Sequence, residues 1–198
     1  DGDGEDDTVV VLFYCYMRMA PEEAVALAAE QRRLGEELSL CGRVLVAQEG
    51  INGTVQGTDK AVTAYEDSVR VRFGETVDFK RSPASTDAVF PDFAVKEVPE
   101  LVSFGLGPSV HLDVSAETAQ HLKPTDFHQL LEKTPQDNLC LLDVRNSFEY
   151  EVGHFDGATD VGMLHTAQWP RYVDKHLDEL QGKRVMMYCT GGIRCEKA

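Results

Sequence analysis

The run YCTGGIRCEKA, residues 188–198, places Cys189 directly behind an apolar stretch, then adds two glycines, an arginine and a second cysteine. Glycines let successive backbone N–H groups point into one concavity, a nest that holds an anion. The residues after Gly192 favour helix, and a helix start adds partial positive charge at the same spot. A thiol held there ionises below its usual value of about 8.5. Arg194 supplies a full positive charge at the rim. Cys189 is therefore the candidate nucleophile, and Thr190, Gly191, Gly192, Ile193 and Arg194 form the candidate anion-binding loop. Such a loop suits a thiolate, a persulfide or a tetrahedral anion.

Spacing separates these chemistries. The arginine falls in a C-x4-R pattern, one residue earlier than the C-x5-R of cysteine phosphatases, and Cys195 stands where their arginine would. The tighter ring fits a terminal sulfur better than a phosphoryl group, although a widened loop keeps phosphatase chemistry open. Cys195 has two readings: a thiol that resolves a persulfide on Cys189 as a disulfide, or a packing residue of the helix. Arg194 either binds substrate or braces the loop. Asp143 and Arg145 end another apolar run and could line the cleft, their expected job being an ion pair or cap that supports it. His154, within GHFDGA, could be a general base, but its expected role is a structural hydrogen bond. The histidines and cysteines show no ligand spacing, so no metal and no cofactor is expected.

These residues need elements to hold them. Reactive groups of open α/β sheets gather at the carboxyl ends of strands, and RVMMY (184–188) is a strand aimed at Cys189. LCLLDV (139–144) is a second buried strand and ATDVG a short third. Phe127, Leu130 and Leu131 mark a short helix, and Asn146 and Glu149 a capping box. Val173, Leu177 and Leu180 are spaced to face inward on a helix that Gly182 can end. This alternation from 124 to 198 predicts a mostly parallel α/β sheet with helices on both faces.

Residues 9–82 read as a separate β-α-β-β-α-β unit, the order of a ferredoxin-like fold. VVVLFYCYM is a buried strand, and Pro21, Glu22 and Glu23 open a helix whose buried face carries Leu27, Leu34 and Leu38. RVLVA (43–47) and GTVQG (53–57) are strands, with the turn between them expected at Asn52-Gly53. Thr58 caps a helix with Val62, Tyr65, Val69 and Phe73 on one stripe. TVDFK (76–80) supplies the fourth strand. Residues 83–123, with four of the eight prolines and the glycines Gly105 and Gly107, read as a connector. AVKEVPELVSF is a strand-like piece within it.

The net charge of −15 excludes a broad basic nucleic-acid footprint. Part of that charge lies in residues 1–8, expected to be a solvated acidic tail; its D-x-D-G start lacks the rest of a calcium loop. Arg70, Arg72, Lys80 and Arg81 could gather into a local basic patch, interrupted by Glu75 and Asp78. Five scattered cysteines, Cys15, Cys41, Cys140, Cys189 and Cys195, are not a disulfide framework and suggest a reducing compartment. Asn52-Gly53-Thr54 is a glycosylation sequon that would be silent there. No apolar run is long enough to cross a bilayer. A cytoplasmic protein is the expectation.

YCTGGIRC resembles the active loop of rhodanese domains, and LLDVRNSFEYEVGHFDGA resembles their D-V-R…E…G-H-I-x-G-A stretch. With EGINGT in the front unit, the chain from Val9 onward resembles the rhodanese-like tRNA uridine hydroxylase family. The resemblance implies a ferredoxin-like domain joined to a rhodanese domain, the latter truncated at its carboxyl end because the chain stops at Ala198 within the expected helix. It implies that Cys189 is catalytic and can carry a persulfide. It further implies tRNA as partner, a sulfur donor such as thiosulfate or a protein persulfide, and 5-hydroxylation of the wobble uridine. Two other readings stay open: a small-molecule thiosulfate-type sulfurtransferase, and a non-catalytic module that binds anions or partners.

Overall fold

A computed structural model describes residues 7–75, 77–84, 90–106 and 113–198. The acidic leader before Asp7, Thr76 and Gly107 lie outside the described residues. The chain divides into two units, Asp1–Leu101 and Val102–Ala198.

In the first unit the apolar run becomes β1 (Thr8–Tyr16), followed by α1 (Pro21–Glu37), β2 (Cys41–Ala47), β3 (Gly50–Thr58) and α2 (Asp59–Phe73). The short β4 (Lys80–Pro83) and β5 (Phe93–Glu97) complete it. The sheet order is β4-β1-β3-β2-β5. The first four strands are antiparallel and β5 runs parallel to β2. This is the ferredoxin-like fold, extended by one strand taken from the residues read as a connector. Alternate residues of β1 (Val11, Phe13) meet the α2 stripe of Val62, Tyr65, Val69 and Phe73 in one core. Leu27 is buried there, and Leu34 and Leu38 pack at its margin. Within it the Tyr65 hydroxyl donates to Gln31 Oε1 at 2.5 Å.

Two strand expectations are corrected. The β2–β3 turn is Gln48-Glu49, and Asn52 and Gly53 lie inside β3, opposite Leu45 and Val44. Gly53 serves close packing here: a Cβ would come within 2.7 Å of the Phe13 ring. Gly50, at φ +144°, is pressed against the Cys15 carbonyl, which an added Cβ would overlap. The fourth strand starts at Lys80, where pairing with β1 begins. Val77 and Phe79 still turn into the core, Phe79 lying 5.5 Å from Phe13, but from outside the ladder.

The second unit opens with a single helical turn, α3 (Val114–Glu117), then α4 (Pro124–Lys133), β6 (Leu139–Asp143) and α5 (Ser147–Val152). It continues through β7 (Thr159–Asp160), α6 (Trp169–Leu180), β8 (Arg184–Tyr188) and α7 (Ile193–Lys197). Its sheet, ordered β7-β6-β8, is parallel throughout. One face buries Leu142, Met163 and Trp169 with residues of α6 and α7, and the other buries Leu141 and Met186 beneath α4. The α6 stripe is corrected. Trp169 is buried and Tyr172, Val173 and Leu180 pack on the same core, whereas Leu177 is 56% exposed. Trp169 is the larger apolar body and sets which side of the helix turns inward. Among the described residues no helix is long and apolar enough to cross a membrane.

Candidate active site at the carboxyl end of β8

β8 ends at Tyr188, so Cys189 leaves the sheet at its carboxyl edge, next to the end of β6. Gly192 adopts φ +97° and turns the chain into α7. A residue with a Cβ enters that conformation at a steric cost, which glycine avoids. The turn brings amides back over the sulfur. Gly192 N–H donates to Cys189 Sγ at 3.0 Å. The Arg194 and Cys195 amides and the Cys195 thiol donate to the same atom, and the Arg194 charge lies close by. Together these outweigh burial and hold the Cys189 thiol down at about 5. Cys195 is pushed the other way, because its proton is held by the Cys189 sulfur and burial disfavours its thiolate. Cys189 is half-buried and keeps a path to solvent.

The loop is braced from α5. Glu149 accepts from both guanidinium nitrogens of Arg194, at 2.6 and 2.8 Å, and from Thr190 Oγ1 at 3.1 Å. It also caps its own helix by accepting from Asn146 N–H at 3.1 Å. These donors lower its carboxyl to about 2. Arg194 thus spends its planar fork on the brace and touches the sulfur from the same position. Ile193 turns into the core beneath the loop, Gly191 is buried, and Thr190 remains exposed. The sequence reading of Glu149 as a helix cap alone missed this clamp. The available signal was the glutamate of the D-V-R…E stretch.

Asp143 and Arg145 form a second brace. The Asp143 carboxylate is buried and takes Arg145 Nε at 2.8 Å and Nη2 at 2.6 Å, as well as the Arg145 amide. Nη2 reaches on to the Gly153 carbonyl at 2.6 Å, and the guanidinium lies over the Tyr188 ring. His154 stacks on Tyr150 at 3.7 Å and bonds its carbonyl through Nδ1. Both groups shape the strand ends beside the loop without touching Cys189. A separate cavity of about 280 Å³, lined by Cys140, Tyr172, His176 and Lys183 among others, opens near the amino ends of β6 and β8 and includes no loop residue. Among the described residues no cluster of metal-ligating side chains occurs.

The four cations read as a patch are all engaged by acids. Arg70 and Arg81 share the buried Glu66, Arg72 pairs with Glu23, and Lys80 with Asp78.

Comparison with known proteins matches both units. Residues 8–101 fit the UPF0176 acylphosphatase-like domain and residues 123–198 the rhodanese-like domain. A protein named tRNA uridine(34) hydroxylase from Cytophaga hutchinsonii is 37% identical over 97% of this chain and 59% of its own length. One of the same name from Oceanobacillus iheyensis is 41% identical over 95% of this chain and 56% of its own. The chain therefore spans somewhat more than half the length of these relatives. The chain thus pairs a stretch that matches the UPF0176 acylphosphatase-like domain with one that matches the rhodanese-like domain, and over nearly all of its length it is similar to proteins named tRNA uridine(34) hydroxylase.

Proposed function

We propose that the chain works in an enzyme that modifies tRNA, hydroxylating the wobble uridine, with Cys189 as its nucleophile and as the carrier of a persulfide. The observation that carries the reading is the Cys189 sulfur held ionised under the amides of Gly192, Arg194 and Cys195. An ionised sulfur is the attacking form, and donors already in place need no rearrangement when charge moves onto a second sulfur. With thiosulfate as donor, the thiolate attacks the outer sulfur, a new S–S bond forms, the old one breaks and sulfite leaves with the electron pair. A protein persulfide would serve as donor in the same way. The persulfide's outer sulfur then carries the negative charge toward the nest. Asp143, Arg145 and Glu149 act as positioning residues, holding the strand ends and the loop. The tRNA substrate and the hydroxylation rest on the relatives' names, and a cytoplasmic setting on five free, scattered cysteines.

A small-molecule sulfurtransferase is the second reading, favoured by one observation: the amide on the Cys189 sulfur comes from the loop itself, so sulfur transfer there calls for nothing beyond a small donor. Intact mass after incubation with thiosulfate is the first test. The chain should gain one sulfur atom, and Cys189→Ser should gain none. A chain without any adduct would be a binding module, and the enzymatic reading would be lost. Nucleosides of tRNA from cells lacking the gene then separate the two enzymes, since unmodified wobble uridines should accumulate only if tRNA is the substrate.

A further inference from the structure

Cys195 is a nucleophile that the sulfur transfer above leaves idle. Its amide and its thiol both donate to Cys189 Sγ, so the two sulfurs are in hydrogen-bonding contact. Both side chains pack against the same core cluster, and both are half-buried, free thiols. No rearrangement of elements is needed to bring them together, because they lie on one loop-and-turn, Cys189 at the end of β8 and Cys195 in α7. The remaining cysteines sit elsewhere: Cys15 and Cys41 in the first unit, and Cys140 near the amino end of β6.

Resting on the persulfide reading, we propose that Cys195 is a resolving thiol that discharges a Cys189 persulfide. The Cys195 sulfur attacks the inner sulfur of the persulfide, a Cys189–Cys195 disulfide forms, and the bond to the outer sulfur breaks. That outer sulfur leaves as hydrosulfide and takes the thiol proton, so a persulfide and a thiol become a disulfide and hydrogen sulfide. The outer sulfur is reduced and Cys195 is oxidised by the same electron pair, with no further oxidant.

The resting loop explains why the step waits for sulfur. A Cys189 thiolate holds the Cys195 proton and keeps that thiol un-ionised. Loading a second sulfur moves the negative charge one atom outward and weakens that hold. The disulfide then occupies the atom on which the loop amides converge, so the nest stays closed until a dithiol reopens it. Because both groups are on one chain, the step is unimolecular.

The test follows the full chain by intact mass and sulfide release after a pulse of thiosulfate. Wild type should gain one sulfur, then lose it as sulfide and end two hydrogen atoms lighter than the reduced chain, reversibly with dithiothreitol. Cys195→Ser and Cys195→Ala should hold the added sulfur with a lifetime longer by at least about tenfold, as expected when an intramolecular partner is removed. A wild-type persulfide as long-lived as that of both variants would overturn the resolving role alone. Absence of any added sulfur in all three proteins would overturn the persulfide reading beneath it.

Discussion

At the residue scale the thiolate of Cys189 reflects a contest between burial, which raises the pKa of the thiol, and converging donors, which lower it by more. The donors win, so the sulfur should react as a thiolate well below neutrality. Alkylation by iodoacetamide should rise with pH through a midpoint near 5 and be flat at neutral pH. Replacing Arg194 by methionine removes one donor and a positive charge, so that midpoint should move upward. It also strands Glu149, whose side chain is only 23% exposed. Leaving one partner of a mostly buried pair uncompensated should cost about 2 kcal/mol, read as a lower denaturation midpoint. Glu149 further ties the loop to pH. Its carboxyl is depressed from 4.5 to about 2, so its stabilising share is complete above 4.5 and fades as pH falls toward 2. Glu149→Gln should flatten that acid limb of stability measured by chemical denaturation. The cysteine loop was legible in sequence because its signals are local: a strand, two glycines and an arginine in one run. The Glu149 clamp was not, since it joins residues 45 positions apart that only the β6–β8 pairing brings together.

At the scale of elements, hydrophobic period fixed most of what could be read. The α2 stripe and the Thr58 cap follow from nearest neighbours in sequence, and the Thr58 side chain does accept from Ala61 N–H at 3.2 Å. Glycine was the ambiguous signal. Asn-Gly is the common currency of tight turns, yet Gly53 is needed because the large Phe13 ring of the neighbouring strand crosses it. That requirement belongs to the sheet and not to the local run, so sequence could not show it. Its energetic consequence is specific. Gly53→Ala should crowd Phe13 and Val44 and destabilise the chain by about 1–3 kcal/mol. Gly50→Ala, pressed against backbone at the Cys15 carbonyl, should cost more, because a carbonyl cannot turn aside as a side chain can. A Gly153→Ala control, with open space at the added carbon and an extended φ of 167°, should leave the denaturation midpoint almost unchanged. Were the turn at Asn52-Gly53 instead, Gly53 would lie outside the ladder and its substitution would not outweigh the control.

At the scale of the whole molecule, charge constrains how this chain could meet RNA. Its net charge is −15, and at least nine of its nineteen lysines and arginines are already paired with acids. Arg81 is a case in point, because it is bound at once by Glu66, Asp59 and Thr63. A cation that must first leave such partners gains little from a phosphate, so few counterions should be released on binding. Each neutralised phosphate contributes roughly −0.7 to −0.9 to the slope of log affinity against log salt. If the chain binds tRNA, that slope should therefore stay smaller in magnitude than about 3, as expected for only a few phosphate contacts. Replacing Arg70 and Arg72 by glutamine should change affinity by less than about twofold, within what surface ion pairs contribute. Filter binding of the full chain to tRNA over a salt series measures both. A steep slope that collapses in the Arg70/Arg72 double variant would mean that these arginines exchange their carboxylates for phosphates, and the first unit would then be an RNA-binding face despite its acidity.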